Sequence, residues 1–251
     1  QFADLGLGNG LLNAISECYG RNDSHAAKQY TSSAFLMLCG LSILFGTMLT
    51  ICYQWIPFEH FFRLESAQLK QEVPAAMVVV LICFILSLPL SIVQKLHFGF
   101  QKGYFNGFWQ ITGTLASFLM ISFGLRYKAP LLWFVFAIAG GQLIGLILNN
   151  LHFYLFYNPD LKPRLIFFNK TYLNELFKNG IMFFILSLAI MVGYQSDSIV
   201  LANRLGPDKV TPYSLANKLF SLIPMGLSHI YTPLWPAYRE ALIKKDFSWV
   251  K

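Results

Sequence analysis

The chain has 251 residues, of which 55% are hydrophobic and 12% are charged, and its formal net charge is +7. Its charge content is about half that of a soluble domain, and its mean hydropathy of +0.51 is typical of a membrane protein. In so apolar a chain the basic excess indicates cytoplasmic loops rather than nucleic-acid binding. The four cysteines lack metal-ligand spacing, which argues against a zinc site or a disulfide framework.

Six apolar segments of about twenty residues or more follow one another along the chain, each long enough to cross a hydrocarbon core of about 30 Å. They are 33–56, 74–94, 104–125, 130–151, 180–202 and 212–235. Pro89 and Pro224 lie inside spans, where neighbouring helices can bind the carbonyls that a proline leaves unpaired. The sequence therefore predicts an all-α integral membrane protein with about six transmembrane helices.

The loops between these segments carry unequal numbers of basic residues. Lysines and arginines, Lys95 and Lys102 among them, are concentrated on the side that also holds both ends of the chain, and this side is predicted to be cytoplasmic. Arg126 and Lys128 lie on the opposite side and are a local exception.

A short pattern occurs twice, as "NAISECYGRND" at 13–23 and as "PAYREALIKKD" at 236–246. Each copy places a glutamate four residues before a basic residue, the favourable order on a helix. Six predicted spans separate the copies, so both fall on the cytoplasmic face, as in a parallel repeat of six-helix units. A coincidence of two amphipathic helix ends is the alternative. The residues assigned to this cytoplasmic mouth are Glu17, Arg21, Arg239, Glu240 and Lys244.

Two ionisable residues lie inside predicted spans, Asp197 in the fifth and Lys218 in the sixth. Charged groups inside a membrane are costly and tend to line a bundle interior or a watery cavity. The outer turn "GPDK" at 206–209 lies midway between them, so both groups sit at a similar depth and could form an ion pair.

Several amide side chains offer a polar path through the apolar bundle, although hydrogen bonding between helices explains each of them equally well. They are Asn13, Gln195, Asn217, Gln110, Gln142, Asn149 and Asn150. Of the five histidines only His229 falls within a predicted span. The sequence contains no catalytic or metal-ligand motif, and "GLGNG" at 6–10 is not a dinucleotide fingerprint because no strand-and-helix unit surrounds it.

Three stretches carry a resemblance to a known family: "ADLGLGNGLLNAISECYGRND", "GYQSDSIVLANRLGPDKVTPYSLANKLF" and "TPLWPAYREAL". They resemble the lipid-linked oligosaccharide flippases of the multidrug/oligosaccharidyl-lipid/polysaccharide exporter superfamily, which serve O-antigen and capsule synthesis. The resemblance implies two six-helix lobes around a cationic central cavity that opens alternately to each face. The chain is then expected to be a fragment that begins at the cytoplasmic end of the family's second helix and ends just beyond its eighth.

Under this resemblance, 1–156 holds the end of the second helix and the third to sixth helices of the N-terminal lobe. Residues 157–179 form a cytoplasmic linker, and 180–251 begin the C-terminal lobe. The substrate is expected to be an undecaprenyl-pyrophosphate-linked oligosaccharide, moved from the cytoplasmic to the periplasmic leaflet of the bacterial inner membrane. Lys218 is the candidate partner of the pyrophosphate within a span, with Arg21, Arg239 and Lys244 at the mouth; ordinary positive-inside charges explain the mouth residues as well.

The expected partners are the lipid-linked sugar, the bilayer and the polysaccharide polymerase machinery, with no nucleic acid, metal or cofactor. The sequence leaves open which sugar is carried and whether protons, sodium ions or the membrane potential drive transport. Two rival interpretations remain. One is a cation or drug antiporter of the related multidrug and toxin extrusion family, and the other is a membrane-embedded glycan polymerase or transferase, although no catalytic carboxylate pair supports an enzyme.

Overall fold

The computed structural model describes residues 4–52, 67–205 and 210–243, with the side chains of 4–51 and 72–193 and some of those that follow. These residues form helices and turns, without a β-strand among them. The α-helices are α1 (Leu7–Arg21), α2 (Ser24–Cys52), α3 (Ala67–Leu90), α4 (Ile92–Gly99), α5 (Tyr104–Arg126), α6 (Leu131–His152), α7 (Lys170–Leu205) and α8 (Val210–Ile243). The all-α fold predicted from the sequence is confirmed.

Five helical stretches of the described residues are long and apolar enough to cross a membrane: Ser24–Ile51, Glu72–Gly99, Tyr104–Arg126, Leu131–Tyr157 and Lys170–Gly193. They correspond to the first five predicted spans. The sixth predicted segment, 212–235, lies within α8, and its role as a span stays a prediction.

The second span continues beyond the residue at which the sequence interpretation ended it. Lys95 was assigned to a loop, but it lies in α4, where it is partly buried and its Nζ donates a hydrogen bond to Asn9 Oδ1 of α1 at 3.1 Å. The assignment was wrong because it treated a lysine as a loop residue, whereas Asn9 of the neighbouring helix binds the Lys95 ammonium. Gln94 and His97 are therefore inside the helical bundle.

The best-buried part of the molecule is built around the short helix α1. Leu11 and Ile15 of α1 are fully buried, as are Val93 and Leu96 of α4 and Phe153 at the end of α6. Helices α2, α4, α7 and α8 all contact α1. The first helix of the described chain is thus the central element of the core.

Glycines of the "GLGNG" run allow α1 to lie directly against the backbone of α7. Gly6, with φ of 76°, is in the left-handed region before α1 begins. A Cβ at Gly10 would lie 2.9 Å from the carbonyl oxygen of Leu176, and one at Gly180 would lie 3.1 Å from the carbonyl carbon of Gly6. The run therefore serves helix packing.

Helices α5 and α6 meet along a second seam of small residues. A Cβ at Gly113 would lie 2.9 Å from the carbonyl oxygen of Gly141, and one at Gly145 would lie 2.7 Å from the carbonyl oxygen of Trp109. Small residues permit such close contact between helices in a membrane, where no hydrophobic effect drives them together.

The predicted linker, 157–179, is helical at both of its ends. A π-helical turn (Phe153–Tyr157) extends α6, 3₁₀ turns follow at Pro159–Leu161 and Leu165–Phe167, and α7 begins at Lys170. Two hydrogen bonds join the segment to α2. The backbone N–H of Asn169 donates to Ser33 Oγ at 3.1 Å, and the backbone N–H of Arg164 donates to Ser32 Oγ at 3.3 Å. Its role as a boundary between lobes stays a prediction.

Candidate functional site

A polar cavity of about 250 Å³ lies between the end of α3, the start of α4, and helices α5 and α6. It is at the end of the spans next to the turn between Gly99 and Tyr104, on the side predicted to be cytoplasmic. None of the described residues that line it is charged. The larger polar side chains of its wall are Gln94, Asn106, Trp109, Gln110, Gln142 and Asn149. Three amides named separately in the sequence, Gln110, Gln142 and Asn149, thus come together in one site.

A chain of hydrogen bonds fixes the deep wall of this cavity. His97 Nε2 lies 2.9 Å from Asn149 Oδ1, Asn149 Nδ2 donates to Asn106 Oδ1 at 3.2 Å, and Asn106 Nδ2 donates to the carbonyl oxygen of Gln94 at 2.8 Å. The amide orientations require that His97 Nε2 carries the proton and donates. His97 and Asn149 are almost completely buried, so each donor holds the next side chain in one orientation.

His97 is the site residue that the sequence interpretation missed. Its imidazole packs edge-on against Phe153, with ring centroids 5.0 Å apart, and its Nδ1 has no hydrogen-bond partner among the described residues. It was overlooked because the second span was ended before Lys95. The available signal was the short apolar run "IVQKLHFG", in which Ile92, Val93 and Leu96 repeat with helical spacing.

Two groups on the cavity wall retain hydrogen-bonding capacity. Trp109 Nε1 is buried without a partner among the described residues. Gln142 Nε2 is 3.4 Å from Thr114 Oγ1, a long contact, and the side chains of Gln110 and Gln142 are exposed. The cavity is therefore rigid on its His97 side and open on its glutamine side.

Asn150 has a different role from its neighbour Asn149. Its Nδ2 donates to the carbonyl oxygens of Leu90 and Leu146, both at 2.8 Å. Leu90 is the last residue of α3, so this amide binds a carbonyl at the break between α3 and α4. For Asn150, hydrogen bonding between helices is the better interpretation.

At the predicted mouth, Arg21 forms the expected ion pair with Glu17, with Nη2 and Oε1 2.6 Å apart. In the second copy, Arg239 and Glu240 lie on α8, but their side chains are outside the described set. Lys244 lies outside the described residues. Their equivalence to the first copy stays a prediction.

The expected ion pair between Asp197 and Lys218 is not formed within the described residues. Asp197 Oδ2 instead accepts a hydrogen bond from the hydroxyl of Tyr213 at 3.0 Å, and the side chain of Lys218 is exposed. The prediction was wrong because similar depth in a hairpin does not fix which faces of the two helices meet. A phenol of α8 lies nearer to the carboxylate.

The remaining predicted residues lie apart from the cavity wall. Asn13 is half-buried on α1, Asn217 is exposed on α8, and the side chain of Gln195 is outside the described set. None of these residues, nor Asp197 or Lys218, is among the described residues that line the cavity. Their part in a substrate path stays a prediction.

The spans define a multi-pass membrane protein, with a cavity of polar side chains between helices that are otherwise apolar. Residues 1–241 match the model of the polysaccharide biosynthesis protein family, and the chain belongs to that family. This membership confirms the resemblance noted in the sequence and makes the chain a multi-pass protein of the bacterial inner membrane.

Relatives with curated names support the same grouping. A Yersinia pseudotuberculosis protein named for O-antigen export is 26% identical over 248 residues, which cover 98% of this chain and 55% of the relative. A Salmonella typhimurium protein named for O-antigen transport is 24% identical over 250 residues, which cover 97% of this chain and 55% of the relative. A Salmonella typhi protein of the same name is 25% identical over 247 residues, which cover 98% of this chain and 56% of the relative. The chain thus spans about half the length of these relatives, and no solved structure matches it.

Proposed function

We propose that the protein is a transporter, not an enzyme, and that it moves an undecaprenyl-pyrophosphate-linked oligosaccharide from the cytoplasmic to the periplasmic leaflet of the inner membrane. The carrying observation is the uncharged polar cavity between α3, α5 and α6, enclosed by helices that are otherwise apolar. The names of the relatives support a saccharide cargo destined for O-antigen.

The physical requirement for such a protein is a wet path for the headgroup. A sugar unit and a pyrophosphate cannot cross hydrocarbon unaided, because each buried hydroxyl or charge would lose its hydrogen bonds to water. Polar side chains inside the bundle replace those bonds, while the polyprenyl tail stays in the bilayer. A cycle in which the two lobes open alternately to each face would move the headgroup without exposing it to lipid.

The pyrophosphate is assigned to basic side chains. Lys218 is exposed and forms no ion pair within the described residues, so its ammonium is available to an anion. Arg21, together with Arg239 and Lys244, would attract the headgroup at the cytoplasmic mouth. Asp197, held by Tyr213, is the candidate for ion or proton coupling within α7.

Complementation of a flippase-deficient strain tests this function. The full-length gene product is expected to restore surface polysaccharide in a strain that makes the same sugar unit but lacks its own flippase. Surface glycan that stays absent, while the protein is shown to be inserted in the membrane, would contradict the proposal. Drug susceptibility measured in the same strains separates it from a multidrug exporter, for which resistance rather than surface glycan would change.

A further inference from the structure

We propose that the cavity between α3, α5 and α6 is a saccharide subsite, which holds one uncharged sugar ring of the carried headgroup through Trp109, Gln110 and Gln142. The inference rests on the proposed function and specifies which part of the cargo this lobe recognises. The pyrophosphate is bound elsewhere.

The chemistry of the wall selects a neutral, hydroxylated ligand. A phosphate needs positive charge, and no lysine or arginine is among the described residues that line the cavity. A carboxamide both donates and accepts hydrogen bonds, as a sugar hydroxyl does, so glutamine and asparagine side chains can satisfy a sugar in many orientations. The cavity is therefore suited to the sugar and not to the anion.

The volume of the cavity limits the ligand to a single ring. Pockets for drug-sized molecules enclose about 300–1,000 Å³, whereas this cavity has about 250 Å³. The rest of an oligosaccharide would extend from the open side, past the exposed side chains of Gln110 and Gln142.

Trp109 provides the second requirement of a sugar site, an aromatic surface. Its indole lines the cavity, and its buried Nε1 has no partner among the described residues. Because Nε1 has almost no accessible surface, the contribution of Trp109 to a sugar site is the apolar surface of its ring.

The deep wall is preorganised by residues that a ligand does not displace. His97 holds Asn149, and Asn149 holds Asn106, so the polar atoms of the wall are oriented before a ligand arrives. Preorganised groups lose little conformational entropy on binding. His97 is thus a positioning residue, separated from the ligand by Asn149.

Binding measurements on the full-length protein in nanodiscs test the subsite. The probes are the undecaprenyl-pyrophosphate-linked sugar pool extracted from the source strain and undecaprenyl pyrophosphate without sugar. The variants are Trp109→Leu, which removes the aromatic surface, and Gln110→Leu combined with Gln142→Leu. Thr112→Val is the matched control, because Thr112 is on the same helix and bonds to the carbonyl of Phe108.

We expect each cavity variant to weaken binding of the sugar-bearing lipid by about tenfold, roughly the loss of one or two hydrogen bonds or of one aromatic contact. Binding of the sugar-free lipid and of both lipids to the control is expected to stay unchanged. Equal weakening for both lipids, or no weakening for either, would overturn the subsite and leave the proposed function intact. A parent protein that binds neither lipid would overturn both.

Discussion

Tyr30 of α2 donates a hydrogen bond from its hydroxyl to Glu175 Oε2 of α7 at 2.7 Å. The same tyrosine ring contacts Tyr172 edge-on, with centroids 4.5 Å apart. The contact joins two residues that lie 145 positions apart in sequence, Tyr30 in the part that the resemblance assigns to the N-terminal lobe and Glu175 in the predicted linker. A single phenol therefore links the N-terminal bundle to the start of α7.

Replacement of Tyr30 by phenylalanine should loosen this link while the ring contact remains. We expect Tyr30→Phe to lower the free energy of unfolding by about 1 kcal/mol, because a bond to a partly solvated carboxylate is worth less than a buried one. Unfolding by SDS in mixed micelles gives the value. Tyr127→Phe, at an exposed tyrosine after α5, is the control, and an equal effect at both positions would show that the bond contributes nothing.

Pro89 and Ser42 should be energetically coupled. Pro89 has no amide proton, so the carbonyl of Ile85 lacks its helical partner. The single hydroxyl proton of Ser42 is shared between the carbonyl oxygens of Leu38, at 2.8 Å, and Ile85, at 3.1 Å. We expect Ser42→Ala to lower the free energy of unfolding by about 1 kcal/mol in the parent protein. In the Pro89→Ala variant, in which the helical hydrogen bond is restored, the loss should be about half of that. A double-mutant cycle measures the coupling.

The control for that cycle is Thr50→Val on the same helix, since Thr50 bonds to the carbonyl of Gly46 within α2. Thr50→Val should lower the free energy of unfolding by the same amount in the parent protein and in the Pro89→Ala variant. If Ser42→Ala also costs the same in both, the serine does not serve the carbonyl that the proline leaves unpaired.

His97 should tolerate glutamine better than phenylalanine. Phenylalanine fills the space but leaves buried Asn149 Oδ1 without its donor, at a cost of about 1–3 kcal/mol, whereas the glutamine amide can replace Nε2. Unfolding in mixed micelles checks the order, with exposed His25→Phe as control. If His97 positions the cavity wall, His97→Gln should also recover most of the affinity for sugar-bearing lipid that His97→Phe loses; equal affinities would exclude a positioning role.

Cys18 should be inert to alkylation at neutral pH. Burial, assisted by the carboxylates of Asp23 and Glu17, raises the pKa of its thiol to about 12, so the reactive thiolate is scarce. A variant that keeps Cys18 as its single cysteine should react with maleimide slowly until the protein is unfolded, when the pKa falls toward the ordinary value. Rapid labelling of the folded protein would contradict the packing of α1 against α2.

The two copies of the "NAISECYGRND" pattern should face the same side of the membrane. Cysteines introduced at Asn22 and at Lys245 are expected to react with an impermeant maleimide only when the cytoplasmic face is open to it. Labelling in intact cells and in inverted vesicles makes the comparison. Reaction of the two from opposite faces would refute the parallel repeat.

The sequence was sufficient to predict most of the architecture, because long apolar segments in a membrane have few alternatives to the helix. It also named Gln110, Gln142 and Asn149 among seven amides that could line a polar path, with hydrogen bonding between helices as an equal alternative. It could not place them in one cavity, since that depends on which helix faces meet, nor could it separate Asn149 from Asn150. The same limitation explains why Asp197 and Lys218 do not form the ion pair considered from the sequence. The depth of a residue in the membrane follows from its position along the helix, but the face on which it lies depends on how the helix is rotated in the packed bundle.

The glycine seam between α5 and α6 brings together the two helices that carry most of the cavity wall. A side chain at Gly145 would press on the backbone of Trp109, and one at Gly113 on that of Gly141, so any enlargement forces the two helices apart. Trp109 and Gln110 are carried by α5, whereas Gln142 and Asn149 are carried by α6. Gly145 itself lines the cavity, so the width of the cavity is controlled in part by the glycines of this seam. Under the proposed saccharide subsite, a larger residue at Gly113 or Gly145 would change the size of the sugar that fits, while every hydrogen-bonding side chain stays the same.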